Sequence, residues 1–75
     1  MKFFVFYNKQ SITIELLSRI SNIYAVEIPG EHVFFITLIT DSNNRRAWTS
    51  IPAGKEKKAE EIGLLIEIYQ KENSI

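Results

Sequence analysis

The sequence predicts an α+β fold: a two-layer sandwich of order β-α-β-β-β-α, with an antiparallel sheet carrying two helices on one face. Three observations lead there. Between Ile23 and Ile51, extended apolar runs are broken by Pro29-Gly30-Glu31 and by Asn43-Asn44, the punctuation of a strand meander. After Pro52-Ala53-Gly54 the apolar spacing changes from period two to a helical one, which marks a switch of element. The chain has 75 residues and no cysteine, so residues 1–75 form one domain, near the lower size at which a core suffices without disulfide or metal staples.

Each element follows in order. Phe3 to Tyr7 is a short, wholly apolar, aromatic-rich run and is expected to be a buried strand. Ser11 to Ser21 supports two readings. Ile12, Leu16, Leu17, Ile20 and Ile23 lie at helical spacing, with Ser11 as a candidate N-cap, and helix is the favoured assignment because this spacing continues through Ile20. The alternative is a strand, since Ile12 to Leu16 also alternates and Asn8-Lys9-Gln10 would close a hairpin. Strands at IYAVEI, HVFFITLIT and RRAWTSI come next. A three-residue turn at 29–31 pairs Val26 with Phe34 and Tyr24 with Ile36. A two-residue Asn43-Asn44 turn pairs Ile39 with Trp48 and Asp41 with Arg46.

Side-chain alternation then sorts the sheet into two faces. Tyr24, Val26, Ile28, Phe34, Ile36, Leu38 and Ile51 form the expected core face. Ala25, Glu27, Val33, Phe35, Thr37, Ile39, Arg46, Trp48 and Ser50 form the other, which is apolar beyond what one core needs. In the last helix, Ala59, Ile62, Leu65, Ile66 and Tyr69 make the packing stripe. Leu64 and Ile68 make a second apolar strip, and Gly63 within it invites close approach of another element.

Nine basic and nine acidic residues cancel, which argues against binding driven by net charge to nucleic acid or anionic lipid. The apolar run at 3–7 is too short for a signal-peptide core or a membrane span, and a cytosolic location with no membrane partner is the expectation. No catalytic constellation, metal-ligand spacing or cofactor loop is present, so no enzyme, cofactor or metal is expected. His32 is the single histidine and follows a turn. Lys55, Lys57 and Lys58 gather at a helix N-terminus, where backbone amides favour phosphate, and Arg45 lies at a hairpin. Glu56, Glu60 and Glu61 are interleaved with the lysines.

The stretch from Ser11 to Tyr69 resembles the double-stranded-RNA-binding domain in its expected layout, with Tyr24 in the first central strand, Gly30 and His32 at the first turn, Phe35 beyond it and the lysines before Ala59. The resemblance implies that His32 enters a minor groove and that Lys55, Lys57 and Lys58 hold phosphates. HicA-type RNA-cleaving toxins share this layout, and Gly30-Glu31-His32 is similar to their glycine-serine-histidine turn, with Glu31 in place of serine. That likeness implies a catalytic role for His32.

Three functions follow as expectations. The first is a non-enzymatic binding module that contacts structured RNA through His32, Arg45, Lys55, Lys57 and Lys58. The second is a small protein-binding inhibitor or adaptor, of the kind a phage or mobile element carries, acting or self-associating through Phe35, Ile39, Arg46 and Trp48 and through Leu64 and Ile68. The third, and weakest, is an RNase toxin using His32.

Overall fold

The computed structural model describes residues 1–73: strands β1 (Lys2–Tyr7), β2 (Gln10–Ser18), β3 (Ile23–Glu27), β4 (Phe34–Thr40) and β5 (Arg46–Ile51), then one helix, α1 (Glu56–Glu72). The strands form one antiparallel sheet in chain order, β1-β2-β3-β4-β5. The order is therefore β-β-β-β-β-α, with one helix on the sheet, and this corrects the expected β-α-β-β-β-α sandwich with two helices.

The correction lies in residues 11–21, and its cause is local. Asn8 and Lys9 both adopt positive φ, 52° and 66°, and Tyr7 pairs with Gln10. Two left-handed residues in succession give a primed turn, whose twist matches paired strands. Once this hairpin closes, Ile12, Ile14 and Leu16 follow the period-two alternation and turn toward the core. The apparent helical continuation has a different origin. The β2–β3 register shifts between Leu16 and Ser18, and Ile20 lies in the following turn at 97% exposure. A helix would have buried it.

The β3–β4 connection has the expected register, with Val26 facing Phe34 and Tyr24 facing Ile36. Gly30 at φ 83° and a hydrogen bond from the Glu31 N–H to the Ile28 carbonyl at 3.0 Å make the turn. The β4–β5 register differs from expectation by one residue: Leu38 faces Trp48, Ile39 faces Ala47 and Thr40 faces Arg46. The loop is longer than two residues because the Asp41 carboxylate accepts hydrogen bonds from the Asn43 and Arg45 amides, at 2.8 and 2.9 Å. The Asn44 N–H closes on the Asp41 carbonyl at 3.1 Å, and Asn44 sits at φ 63°, the left-handed residue of a bulge.

A one-residue slip reverses the face of every side chain in a strand. Arg46, Trp48 and Ser50 consequently point to the helix side, and Ile51 points away from it. Both assignments are opposite to those expected from the sequence.

The core lies between the sheet and α1. Ile12, Ile14, Val26, Phe34, Ile36, Ile62 and Ile66 are enclosed almost completely. Burial of each such side chain contributes roughly 1.5–3 kcal/mol. Phe3 stacks on Tyr69 with ring centroids 4.1 Å apart and 8° between planes. The helix backbone comes close to β5, β1 and β4 but not to β2 or β3, so the sheet curls and offers its concave side to α1. Ser50, buried beside the helix start, replaces a side-chain N-cap: its hydroxyl accepts the Lys55 N–H at 3.0 Å and donates to the Pro52 carbonyl at 2.9 Å. Among the described residues, no helix is long and apolar enough to cross a membrane.

Candidate binding surfaces

Among the described residues no element forms a second layer on the convex side of the sheet, and pairing puts its residues in rows. Lys2, Glu15, Ala25, Phe35 and Ile51 make one row across all five strands. Thr37 and Thr49 lie next to each other two positions further along β4, and Ile39 and Ala47 form the row beyond them. Phe35 is half-buried, while Ile39 and Ile51 are 48% and 45% exposed. At the opposite edge, Phe4 and Phe6 on β1 point out from the same face at 67% and 70% exposure. Thr13, Glu15 and Glu27 separate the two apolar zones.

The residues expected to form one outer patch are thus divided. Phe35 and Ile39 remain on the convex face. Trp48 is buried under α1: its indole N–H donates to the Glu67 carboxylate at 2.7 Å, and its ring lies 5.7 Å from that of Tyr24. Arg46 and Leu64, with Leu38, Ala47, Glu60 and Glu67, line a shallow cleft of about 400 Å³ beside Trp48. A second hollow of about 180 Å³ continues past Arg46 and Trp48 to Arg19, Asn22 and Gln70. Ile68 is exposed further along the helix. Glu60, Leu64 and Glu67 stand on one helical stripe, so this cleft runs between the helix and the edge strand β5 and meets the open face only at Ala47.

The basic residues also fall into two places. The Glu31 carboxylate accepts a hydrogen bond from the Lys58 ammonium at 2.9 Å, which holds the β3–β4 turn next to the helix start. The Lys55 ammonium lies 5.3 Å from the centroid of the Phe34 ring, within cation–π reach. His32 and Lys57 are exposed at this end. Arg45 lies in the β4–β5 turn, at the other end of a seven-residue strand, about 23 Å away along the sheet. One rigid surface at either end therefore cannot gather all five candidate residues.

Two groups are electrostatically perturbed, and both shifts have structural causes. Glu56 is held below the usual glutamate range, first by the Gly54 amide, which donates to it at 2.8 Å, and then by its own amide. Tyr7 is pushed up to about 12, mainly because its hydroxyl donates to the Glu61 carboxylate at 2.7 Å and secondarily because it is partly desolvated. Among the described residues no cluster of three or more His, Cys, Asp or Glu side chains could hold a metal ion.

No family model, curated protein or solved structure matches this chain. The surfaces must therefore be interpreted from their own geometry. Phe4, Phe6 and Ile51 were not among the residues expected to bind. The run Phe3 to Tyr7 is uniformly apolar, so polarity alone does not reveal which alternate residues face outward. The alternating exposure appears only once β1 is an edge strand covered on one side.

Proposed function

We propose that this chain is a small non-enzymatic protein-binding module that uses the helix-free face of its sheet, as an inhibitor or adaptor would. The supporting observation is the direct cross-strand pair Phe35–Ile51, set beside Ala25 and within reach of Ile39, on the side that no described element covers. A two-layer domain needs one apolar sheet face for its core. Apolar groups on the other face add little to folding, but a partner that removes them from water gains binding energy. The balanced charge fits recognition by shape and apolar contact better than recognition of a polyanion.

The experiment compares wild type with Phe35→Lys/Ile51→Lys in affinity capture from nuclease-treated lysate, with circular dichroism confirming that the variant is folded. A protein captured by wild type and lost from the folded variant supports the reading. Equal capture by both sinks it.

A second reading, contact with structured RNA, draws on the Glu31–Lys58 contact that brings the His32 turn beside the helix start. It requires measurable RNA affinity that falls steeply with salt and weakens on Lys57→Ala. No affinity at low salt would remove it.

A further inference from the structure

We infer that β1 is a self-association edge: two copies of this chain join antiparallel through β1, extending two five-stranded sheets into one. The inference stands on β1 alone and does not depend on the reading above.

The Leu16 N–H donates to the Met1 carbonyl at 2.9 Å, so Met1 and Leu16 are a hydrogen-bonded pair. Such pairs alternate with non-bonded ones along an antiparallel ladder. In the register Phe3–Ile14, Val5–Ile12 and Tyr7–Gln10, the odd-numbered residues of β1 therefore bond to β2. The N–H and C=O groups of Lys2, Phe4 and Phe6 point to the free edge. Proteins usually protect such an edge with proline, bulges or inward-pointing charges. β1 has neither proline nor bulge, its β2 register is continuous, and Lys2 is its only charged residue.

The edge is also complementary to itself. A two-fold axis at Phe4 sets Phe4 opposite Phe4 and Lys2 opposite Phe6 of the second copy. In this register all three outward-pointing residues exchange both backbone hydrogen bonds. Displacing the pairing by two residues in either direction leaves some of them unpaired or opposite a turn. On the convex face the aromatic rings meet each other, and each Lys2 ammonium meets a Phe6 ring. On the helix side, Phe3 meets Val5. No like charges oppose one another, and a net charge of zero adds no general repulsion. The pairing accounts for two phenylalanines at 67% and 70% exposure with a partner whose chemistry is fully specified.

The test is sedimentation equilibrium over a wide concentration range, together with amide hydrogen exchange at Phe4 and Phe6. A mass of twice 8.7 kDa at high concentration, dissociating on dilution, is expected, with both amides protected in the dimer. Phe6→Lys places lysine opposite Lys2 and should weaken association by about tenfold or more. Lys2→Glu/Phe6→Lys restores opposite charges in this register and should recover it, while Phe35→Lys should leave it unchanged. A monomer at every concentration overturns the inference, as does a dimer insensitive to Phe6→Lys or lost with Phe35→Lys. Protection of the Phe4 and Phe6 amides only after a different polypeptide is added also overturns it, by giving the edge to another occupant.

Discussion

The indole of Trp48 fills the space that a side chain at position 63 would need: a Cβ on Gly63 would fall within the van der Waals envelope of the ring. This relationship explains a glycine in the middle of a 17-residue helix, where it costs about 1 kcal/mol relative to alanine. It predicts that Gly63→Ala destabilises the protein even though the helix propensity improves. The expected loss is about 1–3 kcal/mol, as for overpacking of a filled core, measured by urea unfolding. A more stable variant would show that Trp48 can move aside freely.

Glu67 supplies the acceptor for the buried indole N–H. Glu67→Leu should cost about 1–3 kcal/mol by leaving that donor unpaired, and Glu67→Gln should cost less because the amide oxygen can still accept. Trp48 is the only tryptophan, so its fluorescence reports the same change directly. An unaltered emission spectrum and unaltered stability in Glu67→Leu would count against the contact.

Asn44 occupies the left-handed region at φ 63°. Glycine adopts this conformation without steric penalty, whereas a β-branched residue does not. Asn44→Gly should be neutral or slightly stabilising, and Asn44→Val should lose about 1–2 kcal/mol in thermal or denaturant unfolding. Similar stability for the two variants would indicate another turn geometry.

Tyr7 titrates above its ordinary value of 10.0, at about 12. A group with a raised folded pKa contributes stability that is present below the unfolded pKa and disappears as pH rises through the folded one. Wild type should therefore lose stability between about pH 10 and 12 relative to Tyr7→Phe, with the two curves parallel from pH 7 to 9. Parallel curves throughout would show that the Glu61 contact does not couple to folding.

Phe35→Lys/Ile51→Lys should retain most of the stability, since both side chains face away from α1. Trp48→Lys places a charge under the helix and should unfold the domain. Circular dichroism of the two variants separates the open face from the core. Unfolding of the first would reassign Phe35 and Ile51 to a structural role.

Parts of this architecture were legible in the sequence for identifiable reasons. Pro29-Gly30 marks a turn of defined length, and the β3–β4 register follows from it. The segment Ile12 to Ile20 satisfies two periodicities at once, so its identity was decided by Asn8-Lys9, whose paired positive φ values closed a hairpin. The β4–β5 register departs from the expected one because of the Asp41 side chain. Its two hydrogen bonds lengthen the loop beyond Asn43-Asn44 and carry Trp48 to the opposite face. Alternation alone places Phe35 and Ile39 on the outer face, because the β3–β4 register is as expected, although the connection runs over residues 28–33 rather than 29–31 and leaves His32 outside the strand. The outward aromatics of β1 are not legible in the sequence because neither face of that strand carries a polarity signal.

The five strands each pair with a sequence neighbour, while α1 follows them all and docks against β1 as well as β5. Local pairing of this kind forms quickly, whereas contact between Phe3 and Tyr69 requires closure of most of the chain. During synthesis, the concave sheet face therefore emerges before the segment that covers it. Phe34, Ile36 and Trp48 are exposed to solvent or to chaperones until residue 69 clears the ribosome, and that interval is where aggregation of this chain would begin.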